Sequence, residues 1–363
     1  MRWEEILAGN VTTLDELSAS IPQINEYGDI ASKVLNKYPM SIPRYYLSLV
    51  NPDDANDPIR KMCIPSFLEM DLAGTFDTSG EKSNTRLQGL QHKYPQTVLL
   101  LSTNRCAMYC RYCFRKRMVG SGTQEVVADI REALSYIREH EEITNVLISG
   151  GDSFLLNTDV IREYLDSLTA IGHLDYIRFG TKTPVVFPQR ILEDSRLQDI
   201  LQEYGRKKQI YIVTQFNHPR ELTEDSINAV RCLQGLGLIV KNQTVLLKGV
   251  NDCPETLALL FRRFTELGII PYYIFQCRPV TGVMNQFQVP LQAGYDIIEQ
   301  AKAMQNGNGK CFRFVLSNPD GKIEILGRTA DGQMVFKYHQ AKDPDNLGRV
   351  FQREVGPDIC WIE

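Results

Sequence analysis

Three cysteines, Cys106, Cys110 and Cys113, lie in the run Asn104-Arg105-Cys106-Ala107-Met108-Tyr109-Cys110-Arg111-Tyr112-Cys113-Phe114-Arg115. The spacing C-x3-C-x2-C offers three thiolates from one short loop. Thiolate is the soft ligand that iron–sulfur clusters use. A cubane cluster has four irons, so three cysteines leave one iron without a protein ligand. That iron can bind a substrate or cosubstrate directly, which makes the loop a reactive site rather than an electron relay. A zinc site needs two C-x2-C pairs, or one pair and two histidines. His92, His140, His173, His218 and His339 form no H-x3-H pair near the loop. The nine cysteines are odd in number and scattered. The opening Met1-Arg2-Trp3-Glu4-Glu5 lacks the apolar core of a secretory signal, so a reducing compartment, the cytosol, is expected.

The elements that must position this loop follow from periodicity. Apolar runs recur at Val98–Ser102, Asn145–Ser149, Tyr176–Gly180, Gln209–Thr214, Leu238–Leu247 and Pro271–Gln276. Between them Val126–His140, Asp159–Ala170, Gln189–Tyr204, Glu224–Leu236 and Glu255–Leu267 carry apolar residues at helical spacing. Strand–helix alternation implies a parallel α/β sheet with right-handed crossovers. Six units suit a partial (β/α)6 barrel of TIM-like type, with its chemistry on loops at the C-terminal ends of the strands. The cysteine loop follows the first strand and belongs at that mouth. Residues 1–95 read as a helical lead-in, 96–300 as the core barrel and 301–363 as a closing segment of short strands and turns.

Other residues belong at the same mouth. Ser149-Gly150-Gly151-Asp152 follows the second strand. Paired glycines let a ligand approach the backbone, and Asp152 can accept bonds from an ammonium; a plain strand-to-helix turn is the alternative. Asn242 and Gln243 form a polar pair inside an apolar strand, so both are expected to point into the barrel. Arg278 follows the sixth strand, where a buried charge needs an anionic partner. Lys322, after Ser317-Asn318-Pro319-Asp320-Gly321, could capture a carbonyl if desolvated. The bland alternative is a solvated lysine in a hairpin turn.

Composition narrows the partners. The 363 residues are 43% hydrophobic and 23% charged, with a net charge of −4. Nothing here argues for nucleic acid or an anionic membrane, and no apolar stretch spans a bilayer.

Several separated motifs share one resemblance. They are Asn51-Pro52-Asp53-Asp54, His92-Lys93-Tyr94-Pro95, the cysteine loop, Ser149–Asp152, Gly180-Thr181-Lys182-Thr183-Pro184, Phe216-Asn217-His218-Pro219, Asn242–Leu247 and Pro271-Tyr272-Tyr273. In that order the chain resembles the lysine 2,3-aminomutase family of radical S-adenosylmethionine enzymes. The resemblance implies a [4Fe-4S] cluster on Cys106, Cys110 and Cys113. It implies S-adenosyl-L-methionine on the open iron, with Gly150, Gly151, Asp152 and Gln243 binding it. It implies Arg115 on the substrate carboxylate, and Lys322 as the lysine for pyridoxal 5′-phosphate. The partners implied are a small-molecule substrate and an electron donor such as flavodoxin or ferredoxin, with a homo-oligomer left open.

The chain departs from the family at four places. The family's glycine run before the cofactor lysine is shortened to Pro319-Asp320-Gly321. Thr97 stands where the family carries an arginine directed at the cofactor phosphate. Arg278 and Ser317 or Asn318 replace two acids that hold the distal ammonium of lysine. The first two losses weaken the expectation of pyridoxal phosphate. The others reverse the field, so lysine should be rejected and an anionic substrate favoured. Two enzymatic readings remain: an aminomutase for a non-lysine, acidic or neutral amino acid, and a pyridoxal-phosphate-independent radical enzyme acting on a small anion. A non-enzymatic cluster protein is the weakest alternative.

Overall fold

The computed structural model describes residues 2–362, apart from the side chains of Asn25 and Tyr27. Twelve strands form one sheet in chain order. They are β1 (Thr85–Leu87), β2 (Leu90–Tyr94), β3 (Thr97–Thr103), β4 (Asn145–Gly150), β5 (Tyr176–Gly180), β6 (Gln209–Thr214), β7 (Ile239–Leu246), β8 (Ile270–Gln276), β9 (Arg313–Ser317), β10 (Gly321–Arg328), β11 (Met334–Ala341) and β12 (Val350–Arg353). Strands β3 to β9 pair in parallel. Antiparallel strands extend both ends, β1–β2 before and β10–β12 after. The order is linear from β1 to β12, so the barrel stays open. All six expected strands are present, and β9 adds a seventh parallel strand from the segment read as closing strands and turns. Among the described residues no helix is long and apolar enough to cross a membrane.

Each crossover in the parallel region carries a helix, and side-chain caps set where two of them start. Asp129 accepts a hydrogen bond from the Arg131 amide (2.8 Å), so the first crossover helix is Ile130–Glu139 and not the longer Val126–His140. Asp194 accepts from the Leu197 amide (2.8 Å). That cap splits the expected Gln189–Tyr204 helix into Gln189–Leu192 and Ser195–Gly205. Apolar periodicity runs through both ends, but a polar cap stops the intrahelical ladder.

Successive strand residues point to opposite faces. Ile148, Phe179, Ile212, Val240 and Leu246 are buried on the face that packs against the helices. Each such side chain contributes roughly 1.5–3 kcal/mol on leaving water. The other face lines the barrel, and register aligns its residues: Leu147 with Arg178, Arg178 with Tyr211, Gln243 with Tyr273, and Ser317 with Lys322. Asn242 and Gln243 therefore do not both enter the barrel. Asn242 turns outward, where its side chain bonds the Phe216 amide (2.7 Å), the Phe216 carbonyl (3.0 Å) and Thr244.

The second strand's glycines seat the cysteine loop itself. The Gly151 amide donates to the Thr103 carbonyl (2.6 Å), and the Asp152 amide to the Arg105 carbonyl (2.8 Å). A β-carbon on Gly150 would lie 2.4 Å from the Thr103 oxygen, and one on Gly151 2.3 Å from the Arg105 oxygen. The close approach expected for a ligand is made here by the chain's own backbone. Gly150 also has φ +115°, where a side chain is strained.

Gly150→Ala should therefore lower the free energy of unfolding by ~2 kcal/mol or more, from strain and clash together. Gly172→Ala, with nothing within 4 Å of the new carbon, should stay within ~0.5 kcal/mol. Denaturant titration of the two variants checks the contrast.

Candidate active site

The cysteine loop has no helix or strand between β3 and residue 130. Bonds from elsewhere hold it. Asn10 donates to the Ala107 carbonyl (2.8 Å), the Tyr109 amide to Ser41 (3.0 Å), and the Arg111 amide to Met62 (2.9 Å). The thiols of Cys106, Cys110 and Cys113 are all pushed up by burial, Cys113 to about 11. Cys106 and Cys113 each also feel other thiols of the trio. Such thiols become thiolates only where positive charge is supplied, as a bound metal cluster supplies it.

Among the described residues no three His, Cys, Asp or Glu converge on a single metal ion. In a cubane each thiolate takes a different iron, and three thiols within one loop are the soft donors such a cluster uses. The donor set thus fits the cluster, whose ligands would be these three cysteines.

Five cations crowd the loop, Arg105, Arg111, Arg115, Lys116 and Arg117, and Asn104–Met118 contains no acid. Two carboxylates from the first hundred residues answer four of them, Arg111, Arg115, Lys116 and Arg117. Glu69 is 0% exposed and accepts from Arg111 Nε (2.9 Å) and from Lys116. Burial would raise its pKa, but Arg111 and Lys116 outweigh that and hold it low. Glu81 accepts from Arg115 Nε (2.9 Å) and Arg117 Nη2 (2.6 Å). Against the desolvation it suffers, the arginines hold it at about 2. Sequence reading missed both acids; an acid-free run of five cations around a buried loop was the signal that could have found them.

Arg115 was expected to hold a substrate carboxylate. Its Nε and Nη2 instead both meet Glu81, while Nη1 donates to the Gly150 carbonyl (3.2 Å). Asp152 was expected to receive an ammonium. Its oxygens are taken by Thr181 Oγ1 (2.5 Å), the Lys182 amide (2.8 Å) and the Phe154 amide (3.0 Å). Asp152 is a brace between the second and third loops of the mouth, and burial raises its pKa despite these bonds.

A second polar network lies behind the loop. Lys182 Nζ donates to Tyr112 Oη (2.8 Å) and Glu221 (2.9 Å), and Asn217 Nδ2 to Tyr112 Oη (2.7 Å). Tyr46 Oη reaches Glu221 (2.7 Å). Motifs far apart in the chain, Gly180–Pro184 and Phe216–Pro219, thus meet on the tyrosine between Cys110 and Cys113. His218 only caps its own turn, accepting from the Arg220 amide (3.2 Å).

Below the loop, the barrel interior is rich in cations. Lys322 opens β10 in a hairpin, as the bland reading had it, but points inward. Its Nζ donates to Gln340 (2.9 Å) and stands 4.6 Å from the Tyr273 ring centre. Desolvation, with Arg178, Arg278 and Lys93 nearby, lowers its pKa to about 7. Lys93, unassigned by sequence reading, donates to the Asn318 carbonyl and is likewise brought to about 7, chiefly by desolvation and then by Arg278. Arg278 lies over the Phe114 ring at 4.2 Å, and its buried Nη1 has no hydrogen-bond partner. Arg178 donates to Asn145, and its buried Nε is also without a partner. Gln243 occupies the same inner face.

Comparison with known proteins accords with this site. The Radical SAM superfamily profile matches residues 100–261. The chain is 41% identical over 333 residues to the "Putative L-lysine 2,3-aminomutase" of Aquifex aeolicus, covering 91% of this chain and 88% of that protein. It is 36% identical to the L-lysine 2,3-aminomutase of Clostridium subterminale, covering 88% and 76%. It is 35% identical to the glutamate 2,3-aminomutase of Clostridioides difficile, covering 84% and 71%. The radical family implies S-adenosylmethionine and a [4Fe-4S] cluster. With the three-cysteine loop, the barrel and these similarities in hand, the chain belongs to the lysine 2,3-aminomutase family of radical S-adenosylmethionine enzymes, as a divergent member.

Proposed function

We propose that this enzyme is a 2,3-aminomutase for an acidic amino acid. The observation that carries the reading is the buried, unpartnered guanidinium nitrogen of Arg278, in a barrel interior where Arg115, Lys93 and Lys322 are its charged neighbours. A buried cation without a partner is costly, and an anionic ligand relieves it. Desolvation lowers the Arg278 pKa to about 10, with Glu81 opposing, so the side chain still carries its charge at neutral pH. A substrate with a distal carboxylate satisfies Arg278, whereas the ammonium of lysine meets like charge. A relative that carries the name glutamate 2,3-aminomutase supports the same class.

When bound, the cluster and S-adenosylmethionine supply a carbon radical that takes hydrogen from the substrate. In this reading Gln243 faces the nucleotide, while Gly150, Gly151 and Asp152 shape its seat by fixing the cysteine loop. Arg115 steers the substrate α-carboxylate through Nη1, since Glu81 holds the rest of its fork. An external donor such as a flavodoxin or ferredoxin supplies the electron.

Pyridoxal phosphate, where the enzyme uses it, would be held at Lys322 in the barrel interior. Lys322 offers an amine that is half neutral near pH 7, beside the Tyr273 and Phe275 rings. Thr97 brings no charge, but Asn145 bonds Thr97 Oγ1 (3.1 Å) and also receives Arg178. A guanidinium from β5 thereby reaches the place that the lost arginine of β3 would serve. A second reading omits the cofactor. The neutral Thr97 and the short Pro319-Asp320-Gly321 turn favour it.

Four outcomes test these assignments. Borohydride treatment with pyridoxal phosphate should add one cofactor mass to Lys322, found by peptide mapping, and none to Lys322→Ala. No label on the wild-type residue removes the cofactor from the reaction.

The amine reacts only when neutral. Labelling should therefore rise about tenfold per pH unit below about 7 and level off above it. The same depressed pKa means that the unfolded chain binds more protons between about pH 7 and ~10.4. The Lys322 contribution to stability should rise with pH across that window.

Arg278→Gln should reduce kcat/KM for an acidic amino acid about 100-fold, the loss expected of a charge-assisted bond of ~2–3 kcal/mol. Faster turnover of lysine than of glutamate by the wild-type enzyme would refute the substrate class.

A further inference from the structure

We propose that a basic cleft at the barrel mouth, with the exposed turn at its rim, is the docking surface for a small acidic protein that delivers one electron. The proposal rests on the cluster assigned above. Reductive chemistry at a cluster needs an electron from outside the chain. The remaining cysteines, Cys63, Cys232, Cys253, Cys277, Cys311 and Cys360, are scattered.

The cleft has a volume of about 430 Å³, and its lining includes Arg60, Lys61, Ser66, Lys248, Asn285 and Phe287. Neither Lys61 nor Lys248 has a carboxylate partner among the described residues, in a chain where most other cations of the mouth are paired. The carboxylate in the lining, Asp252, accepts the Gly249 amide (2.8 Å). The cleft thus presents net positive charge to solvent.

Its rim is apolar. Leu68, Met70 and Leu72 are 46%, 37% and 74% exposed within one short turn. Exposed apolar side chains beside unpaired cations are the surface that an acidic protein partner covers.

This surface also connects to the cysteine loop. The turn is pinned on one side by Glu69, which holds Arg111 and Lys116 beside Cys110 and Cys113. On the other side Asp71 bonds Asn285, at the cleft wall. Phe287, in the cleft lining, meets Tyr112 edge-on with ring centres 6.0 Å apart. Tyr112 stands between the two cysteines in sequence. A carrier seated here lies one aromatic pair away from the loop. In the step proposed, the carrier's centre loses one electron and the cluster gains it; no bond forms or breaks.

The test uses anaerobically reconstituted holoenzyme, with flavodoxin hydroquinone as protein reductant and dithionite as small-molecule reductant. Cluster reduction is followed by electron paramagnetic resonance after rapid mixing and freezing. The double variant Lys61→Glu, Lys248→Glu should lower the flavodoxin rate constant at least tenfold at low salt and flatten its salt dependence. Leu72→Asp should lower it several-fold and leave the salt dependence in place. Dithionite reduction should be unchanged in both.

Unchanged flavodoxin rates in both variants overturn the proposal. So does a parallel loss of dithionite reduction in them and in the milder Lys61→Gln, Lys248→Gln pair, because that would make these residues part of cluster assembly. Failure of dithionite to reduce the wild-type protein would instead sink the cluster assignment.

Discussion

The site depends on charge neutralised out of water. The stretch Asn104–Met118, which carries Cys106, Cys110 and Cys113, has no regular structure and no acid of its own. Arg111, Arg115, Lys116 and Arg117 are held there by Glu69 and Glu81, with Glu125 sharing Arg117. A buried cation left alone is expensive enough to push a loop back into solvent. Each carboxylate answers two cations: Glu69 pins the loop on both sides of Cys113 through Arg111 and Lys116, and Glu81 holds the stretch after it through Arg115 and Arg117. Pairing Gly150 and Gly151 against the loop backbone completes the seat from below. Three thiols are thereby presented together without any helix to hold them.

Much of the barrel was legible because it follows from simple periodicities. Apolar runs and helical spacing located six parallel strands and most of their crossovers. Errors arose where one side chain overrides a period. Asp129 and Asp194 stop helices that hydrophobic spacing would continue. Asn242 and Gln243 look alike in sequence, yet alternate faces of one strand give them different neighbours. The seventh parallel strand, Arg313–Ser317, is short and leads straight into a hairpin, so its pairing with β8 left no local mark.

The site was legible in a different measure. Ligand spacing announces itself because the three cysteines sit within one loop. Counter-charges do not, since Glu69, Glu81 and Lys93 come from segments whose relation to the loop exists only after folding. Asp152 illustrates a further limit: a carboxylate at a loop end is equally suited to a ligand or to backbone amides. Only the Thr181, Lys182 and Phe154 donors decide between them. Lys322 went the other way, because the register of β10 against Ser317 turns a hairpin lysine inward.

The cysteine loop and its neutralising acids lie in different parts of the chain. The three cysteines fall within the stretch that matches the radical superfamily, whereas Glu69 and Glu81 precede it. A lesion in the first hundred residues would then masquerade as a defect of metallation: iron content would drop although every cysteine remained intact. Grafting that core onto a foreign leader segment would fail for the same reason unless two acids travelled with it.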